Sequence, residues 1–104
     1  MIFYPPMLQR GICICPRLVL IPRWAQHHHW YHMHEFTHVE QQEKIGAITF
    51  WWRYLTDKGF RLRVEVEAYQ AEVAAGGSGY AAAKNLSEGY GLNITFEQAQ
   101  ELLS

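Results

Sequence analysis

The segment that most constrains the fold covers residues 26–46, where the spacing of apolar residues predicts one long α-helix. Two apolar patches fall on different sides of this helix. Phe36 and Val39 make the patch that lies away from His34 and His38. A helix with two apolar patches needs cover on both sides, because either patch would otherwise face water. We therefore expect strands against one side of this helix and later helices against the other.

The chain before this helix predicts a small sheet. Residues 11–15 and 18–21 are short, apolar runs with β-branched residues, which favours two strands. Pro16 and Arg17 separate these runs, so we expect a hairpin that turns there. Both runs are continuously apolar, which predicts burial on both faces of the strands. Residues 1–9 are apolar and interrupted by proline, and we expect an extended arm packed on the body of the protein.

The chain after the long helix predicts four shorter helices separated by turns. They cover residues 48–55, 61–75, 79–86 and 96–103, with a glycine-rich loop over 87–93. Thr95 and Gln98 have the types and spacing of a capping box, which marks the start of the last helix. The expected fold class is therefore α+β. A short N-terminal β-hairpin packs on a helical core, in a single domain over residues 1–104.

Charge and composition argue against several classes of partner. The 9 basic and 10 acidic side chains nearly balance and are scattered along the chain. Nucleic-acid-binding proteins concentrate lysine and arginine on one surface, so we expect no such partner. No apolar run is long enough to span a membrane, and the N-terminus lacks the basic start of a signal peptide. These features predict a cytoplasmic protein. Cys13 and Cys15, the only cysteines, are too close for an easy disulfide and are expected to be core side chains.

Within the predicted long helix, the run His34-Glu35-Phe36-Thr37-His38 has the pattern H-E-x-x-H. Residues four apart share one face of a helix, so His34 and His38 can direct two imidazoles at one metal ion. Glu35 lies about 100° around the helix from His34, where its carboxylate can reach a water near that ion. These are the parts of a zinc hydrolase. An accidental match is the alternative, because all 6 histidines fall between positions 27 and 38.

A third ligand is expected from the predicted helix over 61–75, which carries Glu65, Glu67 and Glu72. On a helical wheel Glu65 and Glu72 share a face with Ala68, whose small side chain lets this helix approach the histidine helix closely. Glu67 falls on the opposite face, in solvent. Glu72 lies about 10 Å further along the axis than Glu65, so we expect it to support a ligand or line the site. The wheel therefore favours Glu65 as the third ligand.

Together these motifs resemble a gluzincin metalloprotease domain of the small kind found in phage and bacteria. In that family H-E-x-x-H is followed, on a later helix, by E-x-x-A-D. Residues 65–69 of this chain match the second motif except at its last position. The resemblance implies a zincin-like core, a bound Zn²⁺ and a peptide or protein substrate. It also implies His34, His38 and Glu65 as metal ligands, with Glu35 as general base.

Tyr69 stands where the family has an aspartate that steadies a zinc-ligand histidine. A phenol oxygen can accept an imidazole N–H, so we predict that Tyr69 supports a zinc ligand. Alternatively, Tyr69 donates a hydrogen bond to the oxyanion of the transition state. Tyr80, Tyr90 and Arg53 remain open alternatives for that donor.

Two functions are compatible with these patterns. The first is a zinc-dependent peptidase or peptidase-like hydrolase, in which Glu35 takes a proton from a zinc-activated water. The second is a non-catalytic zinc-binding structural or interaction module, because the chain lacks the second lobe of full-length gluzincins. A helical module with an accidental motif is the third hypothesis. The other histidines, His27, His28, His29 and His32, match neither motif and predict a polar, partly exposed helix start.

Overall fold

The computed structural model describes all of residues 1–104 and has a small sheet followed by five α-helices. The strands are β1 (Ile2–Phe3), β2 (Ile12–Cys15) and β3 (Leu18–Leu20). The helices are α1 (His29–Ile45), α2 (Ala47–Thr56), α3 (Lys58–Ala74), α4 (Gly79–Glu88) and α5 (Phe96–Leu103). The predicted α+β class, with a hairpin ahead of the helices, is confirmed. None of these helices is both long enough and apolar enough to cross a membrane.

The sheet has the strand order β1-β3-β2. Strands β2 and β3 are antiparallel and are joined at Pro16 and Arg17, which confirms the predicted hairpin. Strand β1 pairs with β3 in parallel, with Ile2 opposite Val19, so the predicted arm contributes a third strand. This order leaves β2 at one edge of the sheet, and β2 is the strand that packs against α1.

The prediction that the hairpin is buried on both faces is wrong. Cys13 and Val19 are buried, whereas Ile12 and Ile14 are 36% and 40% exposed. The helices cover only one face of the sheet, so the alternate side chains along β2 point away from the core. Cys13 is a core residue as predicted, but Cys15 is only half-buried, and both are free thiols.

Helix α1 begins later than the sequence predicts, because a 3₁₀ turn over Arg23–Ala25 precedes it. It lies between β2 and α3, as the two apolar patches indicate. Its buried side chains are nevertheless polar, namely His34, Glu35, His38, Gln41 and Gln42. Buried polar groups need partners in neighbouring elements. Gln42, for example, donates from Nε2 to the carbonyl oxygen of Cys13 at 2.8 Å.

Helix α3 carries the second group of buried polar residues. It begins at Lys58, earlier than predicted, because Asp57 caps it by accepting a hydrogen bond from the backbone N–H of Phe60 at 3.1 Å. Phe60 then packs on Phe50 of α2. A single residue, Gly46, separates α1 from α2, and its φ of +86° is a conformation that favours glycine. Helices α1, α2 and α3 therefore follow one another with almost no loop.

Helices α4 and α5 pack on α3 through an apolar group that we call the C-terminal cluster. Its members are Tyr69, Ala82, Ala83, Leu86, Leu92 and Ala99. Helix α4 continues to Glu88, so the loop predicted over 87–93 starts later. The capping box of α5 is confirmed. Gln98 donates its backbone N–H to Thr95 Oγ1 at 3.0 Å, and Thr95 donates its own to Gln98 Oε1 at 2.8 Å.

Candidate metal centre

His34 and His38 lie side by side on the face of α1 that meets α3. Their ring centroids are 5.0 Å apart and both side chains are buried. The Nε2 atoms of both rings approach the same oxygen, Oε1 of Glu65, at 3.3 Å for His34 and 3.2 Å for His38. The structure thus brings together the three residues that the sequence predicts as metal ligands.

Glu65 is held in this position by α2. Its second oxygen, Oε2, accepts a hydrogen bond from the Tyr54 hydroxyl at 2.6 Å. Burial alone would raise the pKa of Glu65, but the two imidazoles and their hydrogen bonds lower it well below its usual range. Burial likewise opposes a charge on His34, yet the adjacent carboxylates of Glu65 and Glu72 raise the pKa of His34 to about 10. Glu65 is therefore a charged, oriented acceptor.

The outer nitrogens of the two imidazoles face two further side chains. Nδ1 of His38 lies 2.8 Å from Oε1 of Gln41, and Gln41 is fixed in turn because its Nε2 donates to the Val64 carbonyl at 3.0 Å. Nδ1 of His34 lies 3.2 Å from Oε1 of Glu72. That contact is an ion-pair distance without hydrogen-bond alignment, because His34 Nδ1 has no hydrogen-bond partner. An acceptor at Nδ1 leaves Nε2 free to bind a metal.

Tyr69 does not make the contact with an imidazole N–H that we predicted. Its ring packs edge-on against the His34 ring, with centroids 4.4 Å apart, and its hydroxyl lies 2.7 Å from the hydroxyl of Tyr90. The side chain is too long for its oxygen to reach the imidazole beside it, so the hydroxyl extends past His34. Glu72, one helical turn later, takes the expected place at His34 Nδ1. The alternative role of Tyr69, as oxyanion donor, remains a prediction.

Glu35 differs from the other buried carboxylates because it has no partner. It is 2% exposed, and it makes neither a hydrogen bond nor an ion pair with the protein. Burial raises its pKa, and the nearby imidazoles only partly offset that effect. Gly11 packs against it so closely that a Cβ at Gly11 would lie 2.7 Å from Glu35 Oε2. A buried carboxylate without partners is available to accept a proton.

The histidines and acids could hold a metal ion together. Ligand atoms of His34, Glu35 and His38 all lie within 4.8 Å of one another. Glu65 is not part of that group, although its Oε1 lies within 3.3 Å of both Nε2 atoms, so two carboxylates approach the imidazoles. Glu67 is not one of them. It is exposed, as predicted, and accepts a hydrogen bond from Gln41 Nε2 at 3.2 Å.

Two residues outside the predicted set of ligands and catalytic groups contribute to the site. Gln41 follows His38 by three positions, and that spacing on a helix is the signal that could have identified it. Tyr54 belongs to the aromatic segment over 48–55, where its spacing is the same as that of ordinary core residues. Only the packing of α2 on α3 shows that its hydroxyl reaches Glu65.

A cleft of about 850 Å³ opens beside these residues. His34, Glu35, His38 and Glu65 are part of its lining. Its remaining walls are rich in aromatic side chains, namely Trp24, Trp30, Tyr31, Phe50, Trp51, Tyr54, Tyr69 and Tyr90. A cleft of this size, apolar with a few convergent polar groups, is typical of a ligand-binding site.

The other histidines lie away from this cleft. His27, His28 and His29 are exposed at the start of α1, as predicted, and His32 lies 3.0 Å from the Tyr4 hydroxyl. None of the four lines the cleft. Comparisons of the chain with protein-family models, with curated protein sequences and with solved structures found no match.

Proposed function

We propose that this protein is a zinc-dependent peptidase or peptidase-like hydrolase, with His34, His38 and Glu65 as the metal ligands and Glu35 as general base. The observation that carries the proposal is the shared oxygen of Glu65, which lies 3.2 and 3.3 Å from the two imidazole Nε2 atoms. The proposal includes the resemblance to gluzincins, which rests on the motifs at residues 34–38 and 65–69.

The two distances from Glu65 Oε1 to the imidazole nitrogens fit zinc. Nitrogen and oxygen ligands lie about 2.0–2.2 Å from zinc, so two of them in a tetrahedral site are about 3.4 Å apart. The distances from Glu65 Oε1 to His34 and His38 are close to that value. Three protein ligands leave a fourth position open, which is the pattern of catalytic rather than structural zinc sites. Gln41 supplies His38 with the acceptor that a ligand imidazole usually has, and the Glu72 carboxylate lies 3.2 Å from Nδ1 of His34.

The residues of the chain would then have separate roles in hydrolysis. When bound, zinc polarises a peptide carbonyl and makes water acidic enough to lose a proton near neutral pH. Glu35, buried and without a partner, takes the proton from the attacking water and returns it to the leaving amine. Glu65 keeps its charge toward the metal because Tyr54 fixes its other oxygen. The aromatic walls of the cleft exclude water from the reacting atoms and favour substrates with apolar side chains.

A non-catalytic zinc module remains the second candidate, and one observation favours it. The interface between α1 and α3 is built from buried polar side chains, so a metal there would tie the two helices together. Glu35 argues for the enzyme. A purely structural site gains nothing from a third buried acid that makes no hydrogen bond and no ion pair.

The test compares three proteins purified without a histidine tag: the parent, Glu35→Gln and Glu67→Gln. We expect about one zinc ion per chain in all three by elemental analysis, because neither changed residue is a ligand. A random peptide library, read by mass spectrometry, should be cleaved by the parent and by the Glu67→Gln control, but not by Glu35→Gln. Zinc in all three with no cleavage by any would favour the structural module. A parent that retains no zinc after loading would reject both functions.

A further inference from the structure

Two arginines line the cleft, and they are used differently. Arg61 is occupied by the backbone, since its Nε donates to the Tyr90 carbonyl at 3.0 Å and its Nη1 to the Tyr54 carbonyl at 2.7 Å. Those contacts tie α3 to the end of α2 and to the loop after α4. Arg61 is therefore a structural cation that uses two of its five N–H donors to hold the backbone.

Arg10 has free donors. Its Nη1 donates to the Gly89 carbonyl at 3.2 Å, and its guanidinium lies over the Tyr90 ring, 4.7 Å from the centroid. A guanidinium has five N–H donors, so most of them remain available. Arg10 forms no ion pair, because every ion pair in the structure joins a histidine to a glutamate. Glu88 also lines the cleft but makes no such contact with Arg10.

Arg10 belongs to the same wall of the cleft as the metal ligands. The Tyr90 ring beneath it carries a hydroxyl 2.7 Å from that of Tyr69, and the Tyr69 ring packs on His34. Burial lowers the pKa of Arg10, but the hydroxyls of Tyr90 and Tyr69 more than offset this and raise it. The cation thus lies over the Tyr90 ring and is linked to His34 through Tyr90 and Tyr69.

We propose that Arg10, with the hydroxyls of Tyr69 and Tyr90, binds a carboxylate of the substrate, so that this site prefers peptides with an acidic group near the scissile bond. The planar fork of an arginine matches a carboxylate with two parallel hydrogen bonds, and adjacent hydroxyls add further donors. The carboxylate is either the C-terminus of a peptide or an acidic side chain. This inference rests on the proposed peptidase function, because it takes the bound carboxylate to be part of a peptide substrate. The binding of a carboxylate can be tested separately from cleavage.

The test measures binding without cleavage, using zinc-loaded Glu35→Gln protein. Three pools of random tetrapeptides are compared by equilibrium dialysis and mass spectrometry. One has free C-terminal carboxylates, one is amidated, and one is amidated with glutamate as its last residue. We expect a carboxylate pool to bind about 10-fold or more tightly than the plain amidated pool, as for a charged hydrogen bond. Whichever carboxylate pool binds better identifies the source of the acid.

Arg10→Gln in the same background should remove this preference and leave binding of the amidated pool unchanged. Arg53→Gln is the matched control, because Arg53 lies over the Phe60 ring and outside the cleft, and it should keep the preference. If Arg10→Gln does not fold, added salt replaces it as the probe. High salt should weaken binding of the carboxylate pools and spare the amidated pool.

Equal binding of all three pools would overturn the inference, as would an equal loss for all pools in Arg10→Gln. A preference that high salt does not reduce would also overturn it. The outcomes separate this inference from the proposed function. An Arg10-dependent preference without any cleavage by the parent would leave the carboxylate site standing and remove the peptidase. Cleavage by the parent with the same KM for all pools would support the peptidase function and reject the carboxylate site.

Discussion

Helix α3 meets its neighbours with two opposite chemistries. Toward α1 it presents Glu65 and Glu72, which face the imidazoles of His34 and His38 in a buried interface. Toward α4 and α5 it presents Tyr69 to the C-terminal cluster, whose other members are alanines and leucines. The first interface is held by charge and hydrogen bonding, and the second by the burial of apolar surface.

The difference shows where stability and chemistry reside in a small fold. Burying apolar surface stabilises the protein without further conditions. Burying charged groups costs free energy unless each is paired, so a polar interface alone is weak support for a fold. The C-terminal cluster therefore stabilises α3, and the adjacent face of the same helix, with Glu65 and Glu72, is free to carry a reactive site. The predictions below separate these two roles.

The largest effect is expected from Glu65→Ala, which removes the oxygen shared by the two histidines. Loss of a neighbouring support residue already costs about 10- to 100-fold in metal affinity, so loss of a ligand should cost more than about 100-fold. Glu67→Ala, two positions away on the exposed face, is the control and should bind zinc like the parent. Competition with a zinc chelator measures both. Similar affinities for the two variants would remove Glu65 from the ligand set.

Leu86→Ala should act on the C-terminal cluster and not on the polar interface between α1 and α3. Leu86 is fully buried in the C-terminal cluster, and truncating such a residue lowers the free energy of unfolding by about 3 kcal/mol. Urea unfolding measures that loss. Zinc affinity of the folded variant should not change, because Leu86 contacts none of the proposed ligands. A parallel loss of zinc binding would show that the C-terminal cluster and the polar interface between α1 and α3 are not independent.

The stability of the metal-free protein should depend on pH through His34. Its pKa is raised from 6.5 to about 10, so its contribution is fully present below pH 6.5 and is lost as pH rises toward 10. Zinc requires deprotonated imidazoles, so stabilisation by zinc should increase over the same range. We expect the metal-free Tm to fall as pH rises over that range. A metal-free Tm that rises over that range would contradict the ion-pair geometry.

The smallest effect is expected from Gln41→Leu, which removes the acceptor at Nδ1 of His38. Zinc affinity should fall about 10-fold, as is usual when a residue that orients a ligand is lost. Tyr69→Phe is the comparison, because its hydroxyl contacts Tyr90 and not an imidazole. It should change zinc affinity much less than Gln41→Leu does. The opposite order would restore our original prediction that Tyr69 supports a zinc ligand.

Helical periodicity was sufficient to predict which of these side chains share a helix face. His34 and His38 share a face because they are four residues apart, and the wheel separated Glu65 and Glu72 from Glu67 correctly. These positions follow from the geometry of each helix taken alone. The role of these residues in binding zinc stays a prediction, because periodicity places side chains without naming what they bind.

Contacts that depend on how helices pack were not predictable in the same way. The reach of Tyr54 to Glu65 requires the rotation of α2 against α3, and the contact of Tyr69 with Tyr90 requires the path of the loop after α4. The sheet shows the same limit. A continuous apolar run in β2 looks like a strand buried on both faces, but whether a layer covers the second face is decided by the rest of the chain.

The hydrogen bond from Arg10 to Gly89 joins positions that are 79 residues apart in the chain. Because of this separation in sequence, the two residues of the contact are synthesised at different times. The four residues of the proposed metal and proton-transfer machinery, ending at Glu65, are synthesised before α4 and the loop at residues 89–91. A nascent chain therefore contains every proposed zinc ligand before the residues that form one wall of its cleft have been synthesised. The proposed carboxylate site is completed last, when the loop at residues 89–91 meets the arm that carries Arg10.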